Sequence, residues 1–279
     1  MAGSSGADPA DRAHPAHPAD PAELLALALD VARAAGALIL ERRASPVEVA
    51  HTKTSPTDVV TEVDRASEEL VRSRLLAARP HDAVLGEEGG GEPGTSGVRW
   101  VVDPIDGTVN FLYGLPQYAV SIAAEVDGEM VAGVVLNVPT GVEYAATLGG
   151  GATRDGQRIG VRPTVPLAQR LVITGFSYDV TVRTLQAQAI ARLLPVVRDV
   201  RRLGSSALDV CYVADGFADA YVEEGVHLWD HAASALIARE AGATTLLTEG
   251  ASGREALVVA PAEGFDELLA AVRQAGLLA

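Results

Sequence analysis

"VVDPIDGTVNF", residues 101–111, sets Asp103 and Asp106 where an apolar run gives way to a glycine turn. Val101 and Val102 lead in as a buried strand would, and Gly107 breaks the pattern just before a short apolar segment. Two carboxylates so close together repel unless a positive charge sits between or beside them. A glycine turn that opens a short helix also points backbone N–H groups at an anion. Taken alone, Asp106-Gly107 reads as an ordinary turn, so the rest of the chain has to decide whether a cation and a phosphate meet here.

Upstream, residues 22–44 carry apolar residues at helical spacing among strong helix formers. Residues 51–80 read as a polar loop, a β-branched piece and a second amphipathic helix. Residues 81–100 read as a brief apolar strand and then a glycine-rich, mobile loop. Downstream, residues 118–159 contain short strands cut by DG, PTG and GGG turns, the pattern of an antiparallel meander. From residue 170 strands and helices alternate, ending in a final helix. Helices in front, a meander in the middle and βα alternation behind predict layered sheets and helices, a fold on the border of α+β and α/β. The expected division is a disordered tail over 1–21, rich in Ala, Pro, Asp, His and Gly, and a body over 22–279 made of two tightly packed halves, 22–165 and 166–279.

The chain has 279 residues, of which 48% are hydrophobic and 21% charged, as in ordinary globular proteins, and no apolar run long enough to span a bilayer. A formal charge of −15 with no basic stripe argues against a nucleic-acid surface. Cys211 is the only cysteine, which excludes a disulfide framework or a thiolate metal site within one chain and fits a reducing cytoplasm. Spaced apolar neighbours mark it as a core residue.

Acidic residues recur at element boundaries: Asp64 in "TDVVTEVD", Glu87 and Glu88 in "GEE", Asp103 and Asp106, and Asp230 in "HLWDHAA". Each has a plain structural reading, as when Asp230 caps the helix that follows it. In combination they supply the oxygen ligands that hard divalent cations such as Mg²⁺ prefer, with water and substrate phosphate completing the shell. The four stretches "DVVTEVD" (58–64), "GEE" (86–88), "DPIDGTVNF" (103–111) and "EGVHLWDHAASALIAREAGA" (224–243) together resemble the inositol monophosphatase family of Mg²⁺-dependent, lithium-sensitive phosphatases. Order, spacing and composition agree from about residue 22 nearly to the C-terminus.

The resemblance implies an αβαβα sandwich of the sugar-phosphatase type and two to three Mg²⁺ ions per site. Glu87, Asp103, Asp106 and the main-chain carbonyl of Ile105 match ligands of the first metals, Asp230 the ligand of a second and Asp64 that of a third. Thr108 with Glu87 matches the pair that orients the attacking water, and Gly107 with Thr108 the phosphate cradle. Lys53 matches a basic residue on a loop over the metals. Ser206, Glu223 and Asp230 fall on the substrate side, with Glu223 beside the polyol and its neighbour Glu224 expected to be silent. Trp229 is expected to pack under the metal site. Where family members often carry a second threonine this chain has Val109, and its "GEEGG" is unusually rich in glycine.

The implied reaction is hydrolysis of inositol 1-phosphate to myo-inositol and phosphate by metal-activated water. Alternatives on the same fold are histidinol-phosphate, fructose-1,6-bisphosphate and nucleotide 3′-phosphate phosphatases. From another class, a non-catalytic Mg²⁺-binding regulatory protein would keep the fold without the chemistry. The expected partner is a small phosphate monoester, with no nucleic acid and no membrane. A homodimer is expected from the resemblance and from "VAGVVLNVP" (131–139), which one core is not expected to cover fully.

Overall fold

A computed structural model describes residues 19–44, 49–52 and 59–279. Lys53 and most of the expected tail lie outside them. Helix α1 (Pro21–Arg43) starts where Asp20 accepts a hydrogen bond from the Ala22 N–H at 2.9 Å, with proline at its first position. It buries Leu24, Ala28, Val31, Ala32, Ala35 and Ile39, one stripe of a helix. Strands β1 (Val49–Thr52) and β2 (Val59–Thr61) pair antiparallel, and α2 (Glu62–Ala78) follows from a capping box between Thr61 and Asp64.

Next come β3 (Ala83–Gly86), β4 (Gly90–Glu92), β5 (Val98–Asp106), the short α3 (Thr108–Tyr113), β6 (Ala119–Val126), β7 (Glu129–Asn137), β8 (Val142–Thr147), β9 (Gly151–Arg154) and β10 (Gln157–Arg158). They form one eight-stranded sheet in the order β10-β9-β8-β7-β6-β5-β3-β4, antiparallel except where β3 runs parallel to β5. Glycine-rich residues 90–92, expected as a mobile loop, instead pair with β3 through Gly86 and Gly90, whose φ of 66° turns the chain back on itself.

The second half supplies β11 (Leu171–Thr174), α4 (Val180–Leu193), β12 (Asp199–Arg201), α5 (Ser206–Ala214), β13 (Ala220–Glu224), α6 (Leu228–Glu240), β14 (Ala243–Glu249), β15 (Glu255–Pro261) and α7 (Phe265–Ala275). Its five strands lie in the order β12-β11-β13-β15-β14, with β11 parallel to both neighbours and the rest antiparallel.

Strand alternation sorts the side chains into layers. Trp100 and Val102 of β5 join α1 and α2 in one core, whereas Val101 faces the opposite core with α5 and α6. On the second sheet, Tyr221 and Leu257 face α5 and α6, and Val222 and Val258 face α4 and α7. The order of layers is therefore α1/α2, first sheet, α5/α6, second sheet, α4/α7, the expected αβαβα sandwich.

Strand β7 corrects one expectation. Residues 131–138 are all buried within this one chain, covered by α1 on one face and α6 on the other, so "VAGVVLNVP" leaves no apolar face for a second copy. The fit is close: a Cβ on Gly133 would lie 3.0 Å from the Ala233 Cα of α6. Gly133→Val is expected to destabilise the fold by about 1–3 kcal/mol through overpacking, read as a lower denaturant midpoint at constant slope. An unchanged midpoint would mean that α6 is not seated on β7 as described.

Candidate active site

On a regular strand, residues three apart point to opposite faces. Asp103 and Asp106 nevertheless share a site, because β5 carries one extra residue there: Asp103 pairs with Ser121 and Asp106 with Ala119, so Pro104 and Ile105 on β5 lie against Val120 alone on β6. This β-bulge re-aims Asp106 onto the side of Asp103. Pro104, which has no N–H to give a ladder, occupies the bulge, and its carbonyl accepts from Ser67 Oγ at 3.2 Å. Ile105 buries its side chain in the α1/α2 core.

Register brings in Glu87. Gly86 pairs with Val102, and the Glu87 N–H donates to the Val102 carbonyl at 3.2 Å, so the residues that follow the pair, Glu87 just past β3 and Asp103 on β5, lie side by side. Both carboxyls line one cavity, and two carboxylates side by side require a shared proton or a cation. Burial, then the charges of Glu87, Asp106 and Asp230, push Asp103 well above the usual carboxylate range. Burial likewise pushes Asp230 well up, opposed by the His227 N–H, which donates to it at 2.6 Å. Asp106 rises to about 6, again through burial, although the start of α5 holds it down. There it accepts from Ser205 Oγ at 2.6 Å, Ser206 N at 3.2 Å and Ala207 N at 2.7 Å.

These shifts fix a pH dependence for the metal-free protein. A carboxyl whose folded pKa is raised binds more protons folded than unfolded, so stability falls as pH climbs from the unfolded value through the folded one. Metal-free protein is expected to melt at a higher temperature at about pH 5 than at about pH 8, with excess Mg²⁺ reducing the difference. A melting temperature that rises from the lower pH to the higher would contradict the crowding of these carboxyls.

Thr108 opens α3 just after Gly107, whose φ is 94° and where a Cβ would lie 2.9 Å from the Gln117 carbonyl oxygen, so glycine is required. Thr108 Oγ1 lies 3.0 Å from Asp64 Oδ1 and 3.1 Å from the Ile105 carbonyl oxygen, and its single proton goes to one of them. Asp64 is buried behind Thr108 and also accepts from Thr61 N at 2.9 Å and from the Thr61 hydroxyl.

The far side holds a hydroxyl relay that the sequence reading missed. Tyr221 OH donates to Glu223 Oε2 at 2.8 Å, which spends its proton, so Ser206 Oγ, 2.7 Å away, donates to Tyr221. Tyr221 and Glu223 are two apart on β13 and thus share a face, which was the available signal. Burial raises the Glu223 carboxyl. Glu224, expected to be silent, is buried and accepts from Ser252 N at 2.6 Å.

A cavity of about 880 Å³ is lined by Glu87, Asp103, Ile105, Asp106, Gly107, Thr108, Ser206, Glu223 and Asp230 among others. Asp64 is one hydrogen bond behind it through Thr108. Lys53 lies outside the described residues. Trp229 is part of the cavity wall and stacks on His227 with ring centroids 5.0 Å apart. Cys211 is buried in the core with its thiol pushed well up by burial, which removes it as a nucleophile.

The donor set is all hard oxygen, carboxylates plus the Ile105 carbonyl, and the crowded Glu87, Asp103, Asp106 and Asp230 carboxyls ask for a positive charge; both features suit Mg²⁺. Among the described residues, no group of three or more His, Cys, Asp or Glu side chains is arranged to hold an ion by itself. Mg²⁺ ordinarily takes one or two carboxylates and fills its shell with water and phosphate.

Among the described residues no helix is long and apolar enough to cross a membrane. The model of the inositol monophosphatase family matches residues 20–277. The chain is 48% identical over 271 residues to a protein named inositol-1-monophosphatase SuhB from Mycobacterium tuberculosis, covering 90% of this chain and 93% of that one. It is 39% identical over 221 residues to a Pasteurella multocida protein named Nus factor SuhB, covering 78% and 83%. The solved structure of Mycobacterium tuberculosis SuhB superposes with a TM-score of 0.80 at 44% identity, over 93% of this chain and 99% of that one. With the two-sheet sandwich and the carboxylate-lined cavity in place, these matches show that the chain belongs to the inositol monophosphatase family, which are phosphoric monoester hydrolases.

Proposed function

We propose that this chain hydrolyses inositol 1-phosphate to myo-inositol and phosphate in a Mg²⁺-dependent reaction. In this reading Glu87, Asp103, Asp106, the Ile105 carbonyl and Asp230 would hold two to three cations, and Asp64, which the resemblance offered as a further ligand, stands behind Thr108 instead. The observation that carries it is the gathering of the Glu87, Asp103, Asp106 and Asp230 carboxyls in the wall of one cavity, beside a glycine turn. Mg²⁺ bound there supplies charge against the phosphoryl and leaving oxygens and makes water a stronger acid.

The chain's own residues supply position. Asp64 accepts the Thr108 proton, which leaves the Thr108 oxygen free to accept a hydrogen from the attacking water. Glu87, also on the cavity wall, accepts a hydrogen bond from the water's other hydrogen, so that the two residues orient it together. Gly107 turns the chain so that the first N–H groups of α3 receive the phosphate. On the polyol side, Ser206 gives its proton to Tyr221 and so presents an acceptor to a ring hydroxyl, as does the Glu223 carboxylate. Phosphate-monoester hydrolysis is among the slowest uncatalysed reactions, so such positioning and charge have much to contribute.

Relatives named inositol-1-monophosphatase support the choice of substrate. The test is a comparison of kcat/KM for inositol 1-phosphate, histidinol phosphate, fructose 1,6-bisphosphate and a nucleoside 3′-phosphate. Inositol 1-phosphate is expected to lead. Another ester leading would reassign the substrate within the family, and no turnover on any would favour the non-catalytic reading. A homodimer rests on the family resemblance alone, since β7 no longer argues for it, and light scattering returning the mass of one chain would remove it.

A further inference from the structure

Resting on the reading of Glu87 as a metal ligand, we propose that Glu68 is a positioning residue that sets Glu87 on the site. Glu68 is buried on α2, 4% exposed, four residues after Asp64 and so on the same helix face. Its Oε2 accepts the Glu88 N–H at 2.8 Å and its Oε1 the Gly89 N–H at 2.7 Å. Arg72, one turn further, is 3.3 Å from Oε1 and donates to the Gly90 carbonyl at 3.1 Å. Glu87 is thereby held from both sides, its own N–H by β5 and the two that follow by Glu68.

Two of the three glycines of "GEEGG" follow from this seat. A Cβ at Gly86 would lie 2.4 Å from the Glu68 carboxyl carbon, and one at Gly89 2.5 Å from its Oε1. Neither glycine has a positive φ, so the space taken by a carboxylate explains both. Glu68 does not line the cavity, and it reaches the chemistry only through the loop.

Glutamine in its place offers one acceptor oxygen and turns an NH₂ toward a loop N–H, so one of the two amides loses its partner. Changes to partners that orient metal ligands typically cost about 10–100-fold in metal affinity. Glu68→Gln is therefore expected to raise the midpoint of Mg²⁺ titration about tenfold or more, both for activity and for the Mg²⁺-induced rise in melting temperature. It should lower kcat at saturating Mg²⁺ by a smaller factor. Gly89→Ala, which drives a methyl into the carboxylate without removing charge, should shift the midpoint the same way and decides the matter if Glu68→Gln does not fold. A purely structural role would lower the melting temperature equally at every Mg²⁺ concentration and leave the midpoint in place, which overturns the proposal. A wild-type chain with no thermal or catalytic response to Mg²⁺ would overturn the metal reading itself, and this inference with it.

Discussion

Asp103→Asn is expected to lower kcat by at least about a hundredfold, at 1.36 kcal/mol per factor of ten, while the metal-free variant melts at a higher temperature than the metal-free wild type. Both effects come from one carboxylate. Asp103 is 2% exposed and feels the charges of Glu87, Asp106 and Asp230, so in the absence of a cation its charge opposes folding. An amide of the same shape relieves that repulsion and gives up a charged ligand. Circular dichroism and thermal melts in chelator, beside phosphate-release assays in Mg²⁺, separate the two. A variant that is less stable than wild type in chelator would show that Asp103 is a structural hydrogen-bonding residue, and one that retains full activity would remove it from the site.

The second large effect concerns specificity. Glu223→Gln is expected to reduce kcat/KM for inositol 1-phosphate by about tenfold to a hundredfold, since a hydrogen bond to a charged group is worth about 1.5–3 kcal/mol. Hydrolysis of p-nitrophenyl phosphate, whose leaving group has no ring hydroxyls, should change far less. Glu223 takes the Tyr221 proton, so an amide there also disturbs the relay through Ser206 and weakens two acceptors for the polyol at once. Equal losses on both substrates would place Glu223 in support of the metals. Glu224→Gln tests something else: this carboxylate is buried and bonded to Ser252 N, so the expected result is a lower melting temperature with little change in the ratio of the two substrates.

Much of this is legible in the chain because it is local. Helical stripes give α1 and α2, and DG pairs mark the meander turns, where Asp127 and Asp155 do adopt positive φ, 53° and 49°. The acidic clusters at element ends announce the cavity. What hides is what depends on pairing between distant segments. The β5 bulge that turns Asp106 onto the side of Asp103 shows only as one extra residue against β6, and the meeting of Glu87 with Asp103 follows from the register of β3 on β5. Glu68 reads in sequence as one more helix acid, because its partners are backbone N–H groups 20 and 21 residues away. Asp106, legible as a metal ligand by resemblance, also anchors the start of α5, a contact spanning about a hundred residues.

The most direct test of the central claim is phosphate release from inositol 1-phosphate by the purified chain, measured with Mg²⁺, after chelation, and after Mg²⁺ is restored. The carboxylate-lined cavity predicts turnover that disappears in chelator and returns with Mg²⁺, over an unchanged circular dichroism spectrum. Undiminished turnover in chelator would contradict it.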